Sequence, residues 1–354
     1  MRIVFLGLSV TSSWGNGHAT NYRALTRALE ARGHDVLFLE RDVPWYASQR
    51  DLPDPPWGRT ELYGSLDELR ARHSDDVRDA DLVIVGSYVP EGVAVGEWVV
   101  DTARGLPAFY DIDTPVTLAK LDRGDHEYLA PHLIERYRLY LSFTGGPTLR
   151  RLEDELGSPC ARAFYCLVDP GDYRPLDTEL KWDLGYLGTY SDDRQPALER
   201  LLIEPARGNP ELRCVVAGPQ YPESIEWPAN VERIGHLPPS QHREFYAAQR
   251  LTVNVTRADM VRAGWSPSVR LFEAAACGVP VVSDLWDGID SFFTPGEEIV
   301  LAESSDDVLD ALERTGPEER EQMGLRARER VLADHTAERR AEQLEEYVAA
   351  VVPA

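Results

Sequence analysis

Ser266-Pro-Ser-Val-Arg-Leu-Phe-Glu-Ala-Ala-Ala-Cys-Gly-Val-Pro-Val-Val-Ser-Asp284 is the most informative stretch of the chain. A Ser/Pro turn opens a helix over residues 268–277, Cys277-Gly278 closes it, and an apolar strand at 280–283 follows at once. A helix that runs directly into a buried strand is the repeating unit of a parallel α/β sheet. The first turn of such a helix leaves N–H groups unpaired at the positive end of the helix dipole, which suits a diphosphate. Ser268, Val269 and Arg270 are therefore candidate anion contacts. Glu273 lies about one and a half turns further in, where an ionised carboxylate could accept both hydroxyls of a ribose. It reads equally well as a solvated Glu on an ordinary helix.

The same rhythm extends in both directions. The opening run Arg2-Ile-Val-Phe-Leu-Gly-Leu-Ser9 reads as a strand, Trp14-Gly-Asn-Gly-His18 as a glycine turn, 19–32 as a helix and 35–40 as a second strand. That is a βαβ unit, expected to have a right-handed crossover. Val43 to Arg59, with four prolines, reads as an irregular surface loop. Helices are predicted at 66–72, 93–104, 131–138 and 147–155, with strands at 81–86, 108–112 and 139–144. Leu167-Val-Asp-Pro-Gly-Asp-Tyr-Arg-Pro175 breaks regular structure and marks a domain boundary. Beyond it strands at 184–188, 212–217, 231–234, 251–255 and 280–283 alternate with helices at 195–206, 240–248 and 268–277. The tail from Ser305 is helical by pattern, ending in a helix at 337–351 with Thr336 as its cap. The chain reads as two α/β domains, each a Rossmann-like parallel sheet.

Composition narrows the function. At 354 residues the chain is longer than one core usually supports, and its 43% apolar content is ordinary for a globular protein. Sixty Asp and Glu against 37 Lys and Arg give a formal charge of −23, which repels phosphate backbones and anionic bilayers. Nucleic acid and membrane insertion are poor partner readings. No apolar run reaches the length needed to cross a bilayer and no signal-like cleavage region follows the first strand, so a cytoplasmic protein is expected. Only Lys120 and Lys181 are lysines, so anion binding falls to Arg and backbone N–H groups. Cys160, Cys166, Cys214 and Cys277 form no metal-binding or disulfide pattern and read as buried thiols.

At Phe272-Glu-Ala-Ala-Ala-Cys-Gly-Val-Pro-Val-Val282 the sequence resembles the group 1 glycosyltransferases, also called family 4, whose C-terminal domain carries a Glu, a small-residue helix, a Gly and Pro-Val-Val. Arg32-Gly-His-Asp-Val36, the glycine loop before it, Leu167-Val-Asp-Pro170 and Phe293-Thr-Pro-Gly-Glu-Glu-Ile-Val300 resemble further segments of that family in the same order. Many of these enzymes carry a second Glu where this chain has Trp265. Ser-x-Arg-x-Phe-Glu, as in Ser268 to Glu273, is similar to the CgeB-like branch, where that first Glu is commonly missing.

The resemblance implies a GT-B fold, with the two domains facing a cleft: an acceptor-side domain at 1–168, a nucleotide-sugar donor domain at 169–334, and a segment at 335–354 whose helix crosses back to the first domain. In the donor domain it points to Gly188 in Gly185-Tyr-Leu-Gly-Thr-Tyr-Ser-Asp-Asp-Arg194 as the diphosphate turn. Arg194 and Arg270 are candidate diphosphate ligands because an Arg fork holds two phosphate oxygens at once; either could instead form a surface ion pair. His236 and Leu237 in Gly235-His-Leu-Pro-Pro239 stand where the family meets the base, although a plain turn fits as well.

In the first domain, Gly15 and Gly17 allow close backbone approach at a helix start and His18 places an imidazole at the same mouth. The glycine spacing is not that of a dinucleotide fingerprint. His18 could be a general base, a positioning residue, or a capping and packing histidine. Asp111-Ile-Asp-Thr-Pro115 ends a strand where α/β sheets place ligands. Asp113 is the candidate catalytic or acceptor contact, with turn chemistry and a divalent-metal grip as the alternatives.

The expected activity is transfer of a sugar from a nucleoside diphosphate sugar to a small-molecule or glycan acceptor, with retention of anomeric configuration and with neither metal nor cofactor. Rivals are a nucleotide-sugar epimerase of the same fold and a non-catalytic nucleotide-sugar-binding protein. A phosphorylase dependent on pyridoxal phosphate would need a site lysine, which two lysines scarcely allow.

Overall fold

The structure is a computed structural model that describes residues 1–15 and 17–351. The chain divides into two compact units, one of residues 1–167 with the segment that starts at Ala337, the other Val168–Thr336.

The first unit contains β1 (Arg2–Gly7), β2 (Asp35–Arg41), β3 (Arg59–Tyr63), β4 (Leu82–Gly86), β5 (Leu106–Asp111), β6 (Leu139–Ser142) and β7 (Ala161–Ala163). They form one parallel sheet in the order β3-β2-β1-β4-β5-β6-β7. Sequence order reverses direction between β1 and β4, where Ile3 pairs with Leu82 and Leu6 with Val85. That reversal splays the connecting loops apart at the strand C-termini and opens a crevice for ligands. β1 and β4 are apolar on both faces because helices cover both sides. Val4, Leu6, Leu37, Leu39, Val83 and Val85 line one face and pack with Trp98, Val99, Leu133 and Tyr137.

The second unit repeats the scheme with β8 (Trp182–Leu187), β9 (Cys214–Ala217), β10 (Val231–Ile234), β11 (Gln249–Asn254), β12 (Val281–Ser283) and β13 (Val300–Leu301). All are parallel, in the order β10-β9-β8-β11-β12-β13, with the reversal between β8 and β11. Leu184, Tyr186, Val216, Leu251 and Val253 pack with Leu198, Leu201 and Leu202. The two Rossmann-like parallel sheets are those expected from the sequence.

Several elements differ from expectation. The proline-rich stretch holds a short helix, Pro44–Ala47, and ends in the edge strand β3. Thr114–Asp122 is a helix beyond those the sequence pattern predicts; Pro115 sits in its first turn, where a Pro costs no hydrogen bond. The helix expected at 66–72 runs to Asp79, because Leu69, His73 and Val77 continue one buried stripe. The helix beginning at Gln195 widens to i→i+5 pairing over Glu199–Ile203, shortly before Pro205, which has no N–H to return to the preceding turn. Short elements at Ala161–Ala163 and Ala258–Ala263 are likewise additional to the expected ones. The four cysteines are free thiols; Cys160 is only half-buried, the other three are buried. No helix among the described residues is long and apolar enough to cross a membrane.

Candidate functional site

In the second unit the reversal between β8 and β11 brings together the loop after β8 and the start of the helix Val269–Ala276. Ser268 is the residue before that helix; its hydroxyl does not cap it but donates to Asn254 Oδ1 at 2.6 Å. The same oxygen accepts from Arg270 Nη1 at 2.9 Å, while Arg270 Nε donates to Leu187 O at 2.5 Å. The guanidinium is buried, lies 4.5 Å over the Tyr186 ring, and is hydrogen-bonded here to neutral oxygens. It is not a surface ion pair. Its remaining nitrogen, Nη2, points at the Gly188 turn, 2.8 Å from where a side chain on Gly188 would begin, so a residue larger than Gly would collide with it.

The turn itself needs two glycines. Gly218, at φ +145°, approaches so closely that a Cβ would stand 2.0 Å from Gly188 O. Tyr221 donates to that carbonyl at 3.2 Å. Arg194, half-buried, donates through Nη1 to Thr189 O at 3.2 Å, and its Nε and the Tyr186 hydroxyl are buried without a partner among the described residues. Beneath lies Asp284, whose carboxyl burial pushes up in pKa, partly offset by hydrogen bonds from Thr256 and Ser283 and by the Arg270 charge. The loop, the Arg pair and the helix start thus converge, and the unpartnered donors make it a cradle for an anion.

Glu273 is not solvated: it is 4% exposed. Oε1 accepts from the Tyr173 hydroxyl at 2.9 Å and Oε2 from the Tyr246 hydroxyl at 2.9 Å. Both phenols are pushed well above their ordinary pKa, first by burial and then by the Glu273 charge. His242 Nδ1 lies 3.1 Å from the Tyr173 oxygen and its Nε2 3.2 Å from Leu237 O. Leu237 thus meets His242 through its carbonyl; His236, beside it, is exposed. Trp265 sits at φ +42° with its ring so close to Gly288 that a Cβ there would lie 2.5 Å away.

In the first unit the corresponding reversal collects the loops after β1, β4 and β5. Gly15, at φ +60°, and Gly17 are exposed with open space around them; Asn16 between them lies outside the described residues. His18 opens the helix His18–Ala31, its ring edge-on to Tyr88 at 5.5 Å. Burial lowers its pKa, opposed by the charge of Asp113. Asp113 Oδ2 accepts from the Tyr88 hydroxyl at 3.0 Å, and the carboxylate does not cap the following helix.

Asp111, two residues earlier, points inward. Its oxygens accept from Tyr140 at 2.6 Å and Thr117 at 2.7 Å, and burial pushes its pKa up to about 6. Asp111 and Asp113 thus face different surroundings. Thr117 is 2.8 Å from the Tyr128 hydroxyl, and the Tyr128 ring packs tilted against Tyr88 with centroids 4.6 Å apart.

Residue-by-residue reading missed Tyr88, Tyr173, His242, Tyr246 and Asn254. It also missed Glu40, a fully buried carboxylate at the end of β2 that accepts from Ser9 Oγ (3.0 Å), Thr11 Oγ1 (2.6 Å) and the N–H groups of Val10 (2.7 Å) and Thr11 (3.0 Å). Asp51 braces the same loop through Ser13 and Arg23; burial opposes its ionisation, but these hydrogen bonds outweigh it and hold the pKa at about 2. The one available signal was the i, i+4 spacing of His242 and Tyr246, which places both on one helix face.

Residues 194–346 match the protein-family model described as glycosyl transferase-like. No curated protein sequence matches the chain. Among solved structures, sucrose-phosphate synthase from Thermosynechococcus elongatus is 17% identical with a TM-score of 0.72, each chain covered over 98%. Anabaena HepE in complex with UDP and glucose is 15% identical with a TM-score of 0.73, covering 99% of this chain and 100% of that one. An alpha-glucosyltransferase in complex with UDP-glucose and DNA is 12% identical with a TM-score of 0.71, covering 98% and 99%. The fold is that of the GT-B glycosyltransferases. Within that fold, residues 194–346 carry the match to a glycosyl transferase-like domain.

Proposed function

We propose that the protein transfers a hexose from a uridine diphosphate sugar to a hydroxyl of a small-molecule or glycan acceptor. The observation that carries this reading is the anion cradle at Gly188. There Arg270 Nη2, the Arg194 guanidinium held on Thr189 O, and the start of the helix Val269–Ala276 meet at a turn that has no side chain of its own. Uridine is the base because two structural neighbours are complexes with UDP or UDP-glucose.

In this reading Val269 and Arg270 N–H, with the two guanidinium groups, hold the diphosphate. Glu273 takes the ribose and the Gly235–Pro239 loop meets the base. Negative charge grows on the diphosphate as the glycosidic bond breaks, so fixed positive groups stabilise the transition state more than the ground state. They take the place a divalent cation would otherwise fill, so turnover is metal-independent. His18 and Asp113, with Gly15 and Gly17 leaving room at the loop, position the acceptor. The departing phosphate accepts its proton, which yields a product with the donor's anomeric configuration.

The test is calorimetric titration of UDP in the presence of EDTA. The intact protein is expected to bind, and Arg270→Gln to weaken binding by at least about tenfold, the loss of one charge-assisted hydrogen bond of about 1.5–3 kcal/mol. Equal affinities for wild type and variant, or binding that needs added manganese, would overturn the scheme.

A further inference from the structure

Around Glu273 four side chains from three parts of the second unit meet: Tyr173 from the segment after the domain boundary, His242 and Tyr246 from the helix His242–Ala247, and Glu273 itself. An ionised carboxylate offers about four lone-pair positions. The two phenols take one on each oxygen, leaving one on each. That remainder matches a vicinal diol, which brings two O–H donors side by side.

The histidine has a defined role in the same cluster. A carbonyl can only accept, so the 3.2 Å contact with Leu237 O places a proton on His242 Nε2. Burial favours the neutral ring, opposed by the Glu273 charge, and a neutral ring with Nε2–H leaves Nδ1 an acceptor that competes with Glu273 Oε1 for the single Tyr173 proton. The Tyr173 hydroxyl stands between Glu273 Oε1 at 2.9 Å and His242 Nδ1 at 3.1 Å. The one Tyr173 proton, donated to Glu273 Oε1, has His242 Nδ1 beside it as the competing acceptor, and His242 is in turn tied to the Leu237 loop through Nε2–H; Tyr246 fixes the other carboxylate oxygen.

We propose that Tyr173, His242 and Tyr246 are positioning residues that make this unit selective for ribonucleotides over deoxyribonucleotides. They hold the two unused lone-pair positions of Glu273 toward the 2′- and 3′-hydroxyls and fix that carboxylate relative to the loop that meets the base. The inference rests on the reading that Glu273 binds ribose. A carboxylate free to rotate would find one hydroxyl as easily as two; a clamped one loses a matched contact when the 2′-hydroxyl is absent.

The test measures affinity of the full chain for UDP and for 2′-deoxy-UDP. Wild type should prefer UDP by at least about tenfold, the loss of one hydrogen bond to a charged group. Tyr173→Phe and Tyr246→Phe, which remove only a hydroxyl, and His242→Asn should reduce that preference to about threefold or less, chiefly by weakening UDP, with KM for the donor raised and kcat little changed. Equal weakening of both ligands by all three variants, or an undiminished preference, would overturn the proposal. Glu273→Gln separates the two levels. If it leaves the preference intact, the ribose reading itself fails; if it abolishes the preference while the Phe and Asn variants leave it unchanged, only the positioning role fails. A thermal unfolding midpoint for each variant identifies one that does not fold, and the two Phe variants then decide.

Discussion

At the scale of single residues, Asp111 shows how burial and hydrogen bonding compete. Its carboxyl is fully buried, and although Tyr140 and Thr117 donate to it, desolvation dominates and raises its pKa from 3.8 to about 6. The folded state therefore binds more protons than the unfolded state between those values. Stability from this group is fully present below about pH 4 and is lost as the pH rises through about 6. A rise of that size corresponds to about 3 kcal/mol as an order of magnitude. Asp111→Asn cannot titrate. The unfolding free energy of wild type minus that of the variant, from urea melts at fixed salt, should fall between pH 4 and pH 7. A difference that stays flat would show that the buried carboxyl is not protonated in the folded state near pH 5. Asp113, two residues on, lies only half-buried against Tyr88, so two acids at one strand end sit in different surroundings.

At the scale of elements, the loop after β8 depends on the absence of two side chains. Gly218→Ala would place a methyl 2.0 Å from Gly188 O at a φ that L residues rarely adopt. Either the backbone of β9 shifts or the Gly188 turn opens. The expected outcome is a loss of about 2–4 kcal/mol of stability together with at least tenfold weaker UDP binding. Unaltered UDP affinity in a folded variant would mean that the turn does not contact the diphosphate. Elements of this kind were legible to different degrees. The strands β1 and β4 announce themselves as apolar, β-branched runs, because a strand covered on both faces has no polar side to alternate with. The edge strand Arg59-Thr-Glu-Leu-Tyr63 has no such run, since its partner on one side is solvent. Glu273 could be placed near a helix start from local spacing alone. Its partners could not: Tyr173 and Tyr246 reach it through the tertiary fold, and the i, i+4 pair at 242 and 246 does not say what its face meets.

At the scale of the whole molecule, the chain leaves the first unit after Leu167 and returns to it at Ala337. The returning helix is built into that unit's core rather than laid on its surface. Arg340, 1% exposed, donates to Tyr165 O at 2.9 Å and to Gln343 Oε1 at 2.8 Å; Tyr347 donates to Ala163 O at 3.1 Å. Ala341, Leu344 and Val348 are buried, and Glu345 pairs with Arg32 and His34, each at 2.7 Å. The Arg32 hydrogen bonds hold Glu345 at a pKa of about 2. Burying a Leu or Val contributes about 1.5–3 kcal/mol each, a large part of the 5–15 kcal/mol that holds a typical domain folded. A chain ending at Thr336 should therefore lose the first unit selectively. Limited proteolysis is expected to cut within residues 1–167, and transfer activity should vanish. UDP affinity should stay within about threefold, because Arg194, Arg270 and Glu273 all lie in the second unit with their partners. If the shortened chain keeps a protease-resistant first unit, the helix is an accessory. If it loses UDP binding along with the first unit, the donor site is not contained in Val168–Thr336, and the assignment of donor recognition to that unit alone falls with it.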